Sequence, residues 1–80
     1  MTEAFQSIIE ALIELQNDSS VPRNVKSGIA ETIDALKQES DQSIKINKAL
    51  NKLEELADDM NMQPYTRTQI FNVVSLLEMI

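Results

Sequence analysis

The chain has 80 residues, a formal net charge of −6 and no cysteine. A chain this short makes one small domain whose core only just offsets chain entropy, and neither disulfides nor thiolate metal sites can help it. The acid excess argues against the grip on phosphates that sequence-independent nucleic-acid binding needs, leaving a nucleic-acid accessory the weakest reading, and against attachment to an anionic membrane surface. A basic partner is the complementary class.

Hydrophobic residues make up 42% of the chain, which is normal for a globular protein, and one Gly and two Pro suit long helices joined by short turns. The start, "MTEAFQSIIEALIELQ", carries Glu3 and Glu10 and no early Lys or Arg, unlike a signal peptide. The longest apolar runs are too short to span a bilayer, so a cytoplasmic protein is expected.

Helix one is predicted over residues 4–16, with Thr2 as N-cap and an apolar stripe of Phe5, Ile8, Ile9, Leu12, Ile13 and Leu15. "NDSSV" (17–21) is a turn, rich in residues that bond their own backbone. Pro22 pushes Val21 into an extended form and opens helix two (22–38) from within its first turn. That helix buries Val25, Ile29, Ile33 and Leu36, with Gly28 and Thr32 beside the stripe. Gly28 is unfavourable in a helix, and the close approach of a neighbouring helix explains it.

"ESDQ" (39–42) breaks the chain again, with Ser40 as N-cap and Asp41 in the first turn of helix three (41–59). Ile46, Leu50, Leu53, Leu56, Ala57 and Met60 are predicted inward. "NMQ" (61–63) is the third turn, and Pro64 opens helix four (64–79), whose inward face is Ile70, Val73, Val74 and Leu77. Met62, like Met60, is expected to fill core gaps.

Four helices with short links predict an all-α, up-and-down four-helix bundle forming a single domain over residues 1–80. "ELQNDSSVPRNVKSGI" from Glu14 matches "ELADDMNMQPYTRTQI" from Glu55, so the bundle is expected to consist of two weakly similar hairpins. Between these phrases the prolines fall one residue out of register. A period of about forty residues also suits HEAT-like helix pairs, but two hairpins are too few for a solenoid.

The phrases "VPRN" (Val21–Asn24) and "PYTRT" (Pro64–Thr68), in an acidic chain of this length, resemble the uncharacterised archaeal protein family 0147. Asn61, Met62, Gln63 and Pro64 keep most of the "PNMP" that such relatives often carry before the fourth helix. The resemblance covers the chain from about residue 5 to the end. It implies a four-helix up-and-down bundle and an archaeal source, and it supplies no catalytic residue.

Up-and-down topology gathers Glu10, Glu14, Asp18, Glu54, Glu55, Asp58 and Asp59 at one pole, joined by Arg23, Lys26 and Arg67. Helix three runs from Lys45, Lys48 and Lys52 to four acids, against its own dipole. Ion pairs within the bundle are the ordinary offset, with Arg23 and Arg67 each clamping an acid such as Asp18 or Asp59. The functional version is an acidic end that docks a basic partner. Alternatively, Arg23 and Arg67 at two helix starts form an anion or phosphate-ligand site, with Tyr65 nearby packing over the turn.

The pairs Glu54/Asp58 and Glu55/Asp59 lack the oxygens a hard cation needs, and there is no His for a Glu-x-x-His site, so no metal or other cofactor is expected. Without His, Cys or a Gly-rich phosphate loop, no enzyme is expected either. "VVSLLEMI" has more apolar residues than one stripe requires, and Phe71, Leu76, Met79 and Ile80 are the candidate self-association surface of a homo-oligomer.

Overall fold

The computed structural model describes residues 2–80, with side chains from Phe5 onward. Four helices follow one another, α1 (Thr2–Asn17), α2 (Arg23–Lys37), α3 (Gln42–Ala57) and α4 (Pro64–Glu78), and no strand occurs among the described residues. Thr2, expected as a cap, is already inside α1, and its side chain falls outside the described residues.

Each helix packs on its neighbours in a closed ring, α1 on α2, α2 on α3, α3 on α4 and α4 on α1, and among the described residues the diagonal helices do not bring their backbones together. Neighbours run antiparallel: Asn24 meets Asp59, Gly28 faces Leu56, and Glu31 meets Lys52. The result is a bundle of 33 × 20 × 19 Å, little longer than one of its helices at about 1.5 Å rise per residue.

The apolar stripes supply the core. Ile8, Leu12, Val25, Ile29, Leu53, Ile70, Val73 and Leu77 are all sealed from solvent, with Phe5, Ile46 and Leu50 half-buried around them. Two expected core residues are outside. Ile13 is exposed, because Leu12 and Leu15 already fill its turn of the stripe. Met60 is 92% exposed, because α3 stops at Ala57 and the chain has turned before it. Ala49, not expected inward, is fully buried.

The turns correct further expectations. Asp41, not Ser40, holds the N-cap position of α3, and neither it nor Pro22 makes a side-chain cap bond. Pro22 stands at the N-cap of α2, just outside the helix, whereas Pro64 is the first residue of α4. The α3–α4 turn opens at Asp58 because Asp59 accepts from the Asn61 amide at 2.8 Å, drawing the chain out of the helix.

The two hairpins repeat without a slip. A shift of forty-one residues carries Asp18 to Asp59, Val21 to Met62 and Ile29 to Ile70. The buried pairs Leu12/Leu53, Leu15/Leu56, Val21/Met62, Thr32/Val73 and Leu36/Leu77 all obey it. So do the turns: Asp18 accepts from the Ser20 amide at 2.9 Å as Asp59 does from Asn61. The backbone keeps register, and only the proline has moved, from the N-cap in one hairpin to the first helical position in the other.

Candidate functional site

The end of α1, the start of α2, the end of α3 and the start of α4 share one pole, where Asn24 donates to Asp59 across the α2–α3 seam. Glu54, Glu55 and Asp58 are exposed there. Asp59 is turned inward to Asn24 and to the Asn61 amide, and those two bonds hold its carboxyl below the ordinary carboxylate range. Asp18 is lowered likewise, by the Ser20 hydroxyl and then the Ser20 amide. Among the described residues no three acids gather as a metal site would require.

Arg67 does not clamp a carboxylate. Its Nε donates to the Ala57 carbonyl at 3.0 Å and its Nη2 to the Asp59 carbonyl at 2.7 Å. The first is an orphan carbonyl that ends α3 and the second belongs to the turn just after it, so the guanidinium caps the helix and supplies the cation its dipole favours. Arg23 is not its twin. The forty-one-residue shift places Arg23 opposite Pro64 and Arg67 opposite Lys26, and Arg23 stands exposed at the first position of α2. At the far pole, the ammonium of Lys45 lies 5.8 Å from the centre of the Phe5 ring.

The seams on either side of the pole differ. In the α2–α3 seam, Asn24 bonds Asp59, and Leu56 packs directly on Gly28. Lys52 reaches Glu31 at 3.6 Å and Glu55 at 3.3 Å, and these contacts, the Glu55 bond first, raise its pKa above the ordinary lysine value. A Cβ added at Gly28 would fall on both Leu56 methyls, one of them 2.8 Å away, with the branch carbon at 3.0 Å.

In the α1–α4 seam a cleft of about 150 Å³ opens, lined by Ala11, Glu14, Leu15 and Asp18 from α1 and by Tyr65, Gln69 and Val73 from α4. The same shift matches every one of these positions to the closed seam. Tyr65 and Asp18 replace the Asn24–Asp59 pair, Gln69 and Leu15 replace Gly28 and Leu56, and Ala11 stands where Lys52 stands. Gln69 puts a long side chain where glycine lets the helices meet, and Ala11 removes the cation. The volume suits one benzene-sized group and is well below the few hundred Å³ of a cofactor pocket.

Tyr65, 62% exposed, therefore borders the cleft. Phe71 and Leu76, exposed at 48% and 44%, do not share a face. Phe71 lies one turn beyond Arg67, on the flank toward α3, whereas Leu76 lies two turns beyond Gln69, on the flank of the cleft. Met79 at the C-cap is 83% exposed, and Ile80 follows it outside the helix. Ala11 and Gln69 were not among the residues singled out from sequence, and Leu15 and Val73 were expected only as core. Comparing the two hairpins position by position in the register of Glu14 on Glu55 is the signal that finds them.

The whole chain, residues 1–80, matches the model of an uncharacterised protein family, UPF0147. The chain belongs to the UPF0147 family. It is 41% identical to a UPF0147 protein of Sulfurisphaera tokodaii, across 89% of this chain and 84% of that one. It is 37% identical to the UPF0147 protein of Thermococcus kodakarensis, across 100% and 99%. A third relative, from Methanosarcina mazei, is 34% identical across 99% and 86%. Curated relatives of this family member come mostly from archaea, as the resemblance implied. No solved structure matches it. Among the described residues no helix is long and apolar enough to cross a membrane.

Proposed function

We propose that the protein is a non-enzymatic interaction module of the cytoplasm whose acidic pole docks a basic polypeptide. One observation carries the reading: of the three cations at the pole only Arg23 stands fully exposed, whereas four of its acids face out. Arg67 is committed to the carbonyls of α3, and Glu14, Glu54, Glu55 and Asp58 remain exposed around it. A surface of one sign attracts and orients a partner of the other. The chain's lack of cysteine suits a reducing compartment. The paired-arginine anion site has less support, because one of its two guanidinium groups already has partners in the fold.

A labelled oligo-arginine peptide tests the reading by fluorescence anisotropy. Neutralising Glu14, Glu54, Glu55 and Asp58 to their amides should abolish binding at low salt. Neutralising Asp34, Glu39, Asp41 and Glu78, away from the pole, should leave most of it. Equal losses in the two variants would mean that net charge alone binds the peptide, and the pole would have no special role.

A second reading, self-association, rests on Leu76 and Met79 lying exposed along the cleft flank of α4 with Tyr65. Leu76→Asp should then lower the mass seen by light scattering, and Phe71→Asp, on the other flank, should not. A wild-type chain of monomer mass removes this reading.

A further inference from the structure

We propose that the α1–α4 cleft receives one cationic side chain, Lys or Arg, presented by the basic polypeptide, in the place that Lys52 fills in the α2–α3 seam. The proposal rests on the acidic-pole reading and adds a defined site to it.

The molecule contains its own template for this contact. In the closed seam a long cationic side chain leaves α3, runs along the helix surface and ends between Glu55 on its own helix and Glu31 on α2. In the open seam Glu14 occupies the position of Glu55 and Asn72 that of Glu31, but Ala11 occupies the position of Lys52. One of the two carboxylates is kept and the cation is absent. Asp18 adds a second carboxylate at the cleft, with one oxygen engaged by Ser20.

The remaining walls suit the rest of such a side chain. Leu15 and Val73, both buried, and Ala11 give an apolar floor for methylenes. Tyr65 replaces Asn24 at the rim and brings an aromatic ring, a partner class for an ammonium or guanidinium. A free volume of about 150 Å³ has room for one long side chain. Lys26 is the cation nearest Asp18 in effect, and it belongs to α2, on the far side of the turn.

Grafting the template gives the test. Ala11→Lys places the missing lysine in the cleft and should fill it from within. Glu54→Gln changes the charge of the pole by the same single step outside the cleft. Both are compared with wild type by anisotropy of a labelled, capped peptide of alternating Arg and Gly at fixed ionic strength, after circular dichroism shows each variant folded. Ala11→Lys should weaken binding about ten-fold and Glu54→Gln less than about two-fold. Ala11→Leu, which fills the cleft without charge, should weaken it as Ala11→Lys does, so the readout survives if one variant does not fold. Amide shifts in the wild-type chain on peptide addition should centre on Ala11, Leu15 and Gln69.

Equal, small losses for Ala11→Lys and Glu54→Gln, with wild-type binding by Ala11→Leu, overturn the cleft while the acidic pole stands. No binding of the peptide to wild type overturns both.

Discussion

The α2–α3 and α1–α4 seams are built from corresponding positions of a repeated hairpin, yet one is closed and the other open. The core layer beneath them is the same: Leu12 matches Leu53 and Ile29 matches Ile70, each fully buried. What differs is the flanking pairs. Asn24–Asp59, Gly28–Leu56 and Glu31–Lys52 link the closed seam, and none of the three survives in its counterpart. Burial of the stripe holds the helices in one bundle, and the residues beside the stripe decide how closely two of them meet. A small domain can therefore open a cleft without giving up core.

The largest test of the comparison concerns the turns. Arg67 bonds two carbonyls that its counterpart Lys26 leaves alone. Arg67→Ala should cost about 2–3 kcal/mol in urea denaturation, since charge-assisted bonds to part-buried carbonyls are lost together. Lys26→Ala should change stability by no more than about 0.5 kcal/mol. Arg67→Lys should recover little, because an ammonium lacks the fork that reaches both oxygens. Equal effects at Arg67 and Lys26 would mean the two turns are closed alike.

The next test exchanges one buried pair. Thr66 is fully buried, its hydroxyl has no partner among the described residues, and its counterpart is Val25. Thr66→Val should raise stability by about 1 kcal/mol, and Val25→Thr should lower it by about 2 kcal/mol. Thr32 is the control: its hydroxyl donates to the Gly28 carbonyl at 2.9 Å, so Thr32→Val should gain nothing. A stability loss in Thr66→Val would show that the hydroxyl is satisfied after all.

A smaller effect is expected at Gly28. Alanine improves helix propensity by about 1 kcal/mol, but its methyl collides with Leu56, and overpacking costs about 1–3 kcal/mol. Gly28→Ala should therefore lose about 1 kcal/mol net. Adding Leu56→Ala should cost less in that background than in wild type, since the two side chains compete for one space. Additive losses would place the tight contact elsewhere.

The fold was largely legible because apolar periodicity is a direct record of which side faces inward. Every predicted inward residue of α2 and α4 is buried. Ile13 and Met60 misled for different reasons, one as an extra apolar residue beside a full stripe, the other because Asp59 ends the helix early. The repeat was legible in the right register, Glu14 on Glu55, but the displaced proline made it look weak. Proline can stand at either the N-cap or the first helical position, so it marks a helix start only to within a residue, whereas burial alternates with the helix and does not slip. The acidic pole was legible from charge order. The cleft was not, because it consists of missing links, visible only when Ala11 is set against Lys52 and Gln69 against Gly28.

Acid titration gives the gentlest comparison, and its sign follows from the two aspartates. Asp18 and Asp59 both have folded-state pKa values lowered by hydrogen bonds to the charged carboxylate. Each therefore contributes stability that is present above the ordinary carboxylate value of about 4 and is lost as pH falls through the lowered folded value. The two differ in what is held: Asp18 bonds only within its own turn, to Ser20, whereas Asp59 also ties α2 to the α3–α4 turn through Asn24. Asn24→Ala removes the larger cause of the Asp59 shift, so the fall in urea midpoint between about pH 5 and pH 3 should become shallower than in wild type. Ser20→Ala removes only the hydroxyl from Asp18 and should flatten the same curve without loosening the α2–α3 seam. Amide exchange at the end of α3 separates them, being faster in Asn24→Ala and unchanged in Ser20→Ala. An Asn24→Ala curve that overlays the wild type would show that the Asn24–Asp59 bond does not hold the closed seam, leaving Leu56 on Gly28 and the Lys52–Glu31 pair to do so.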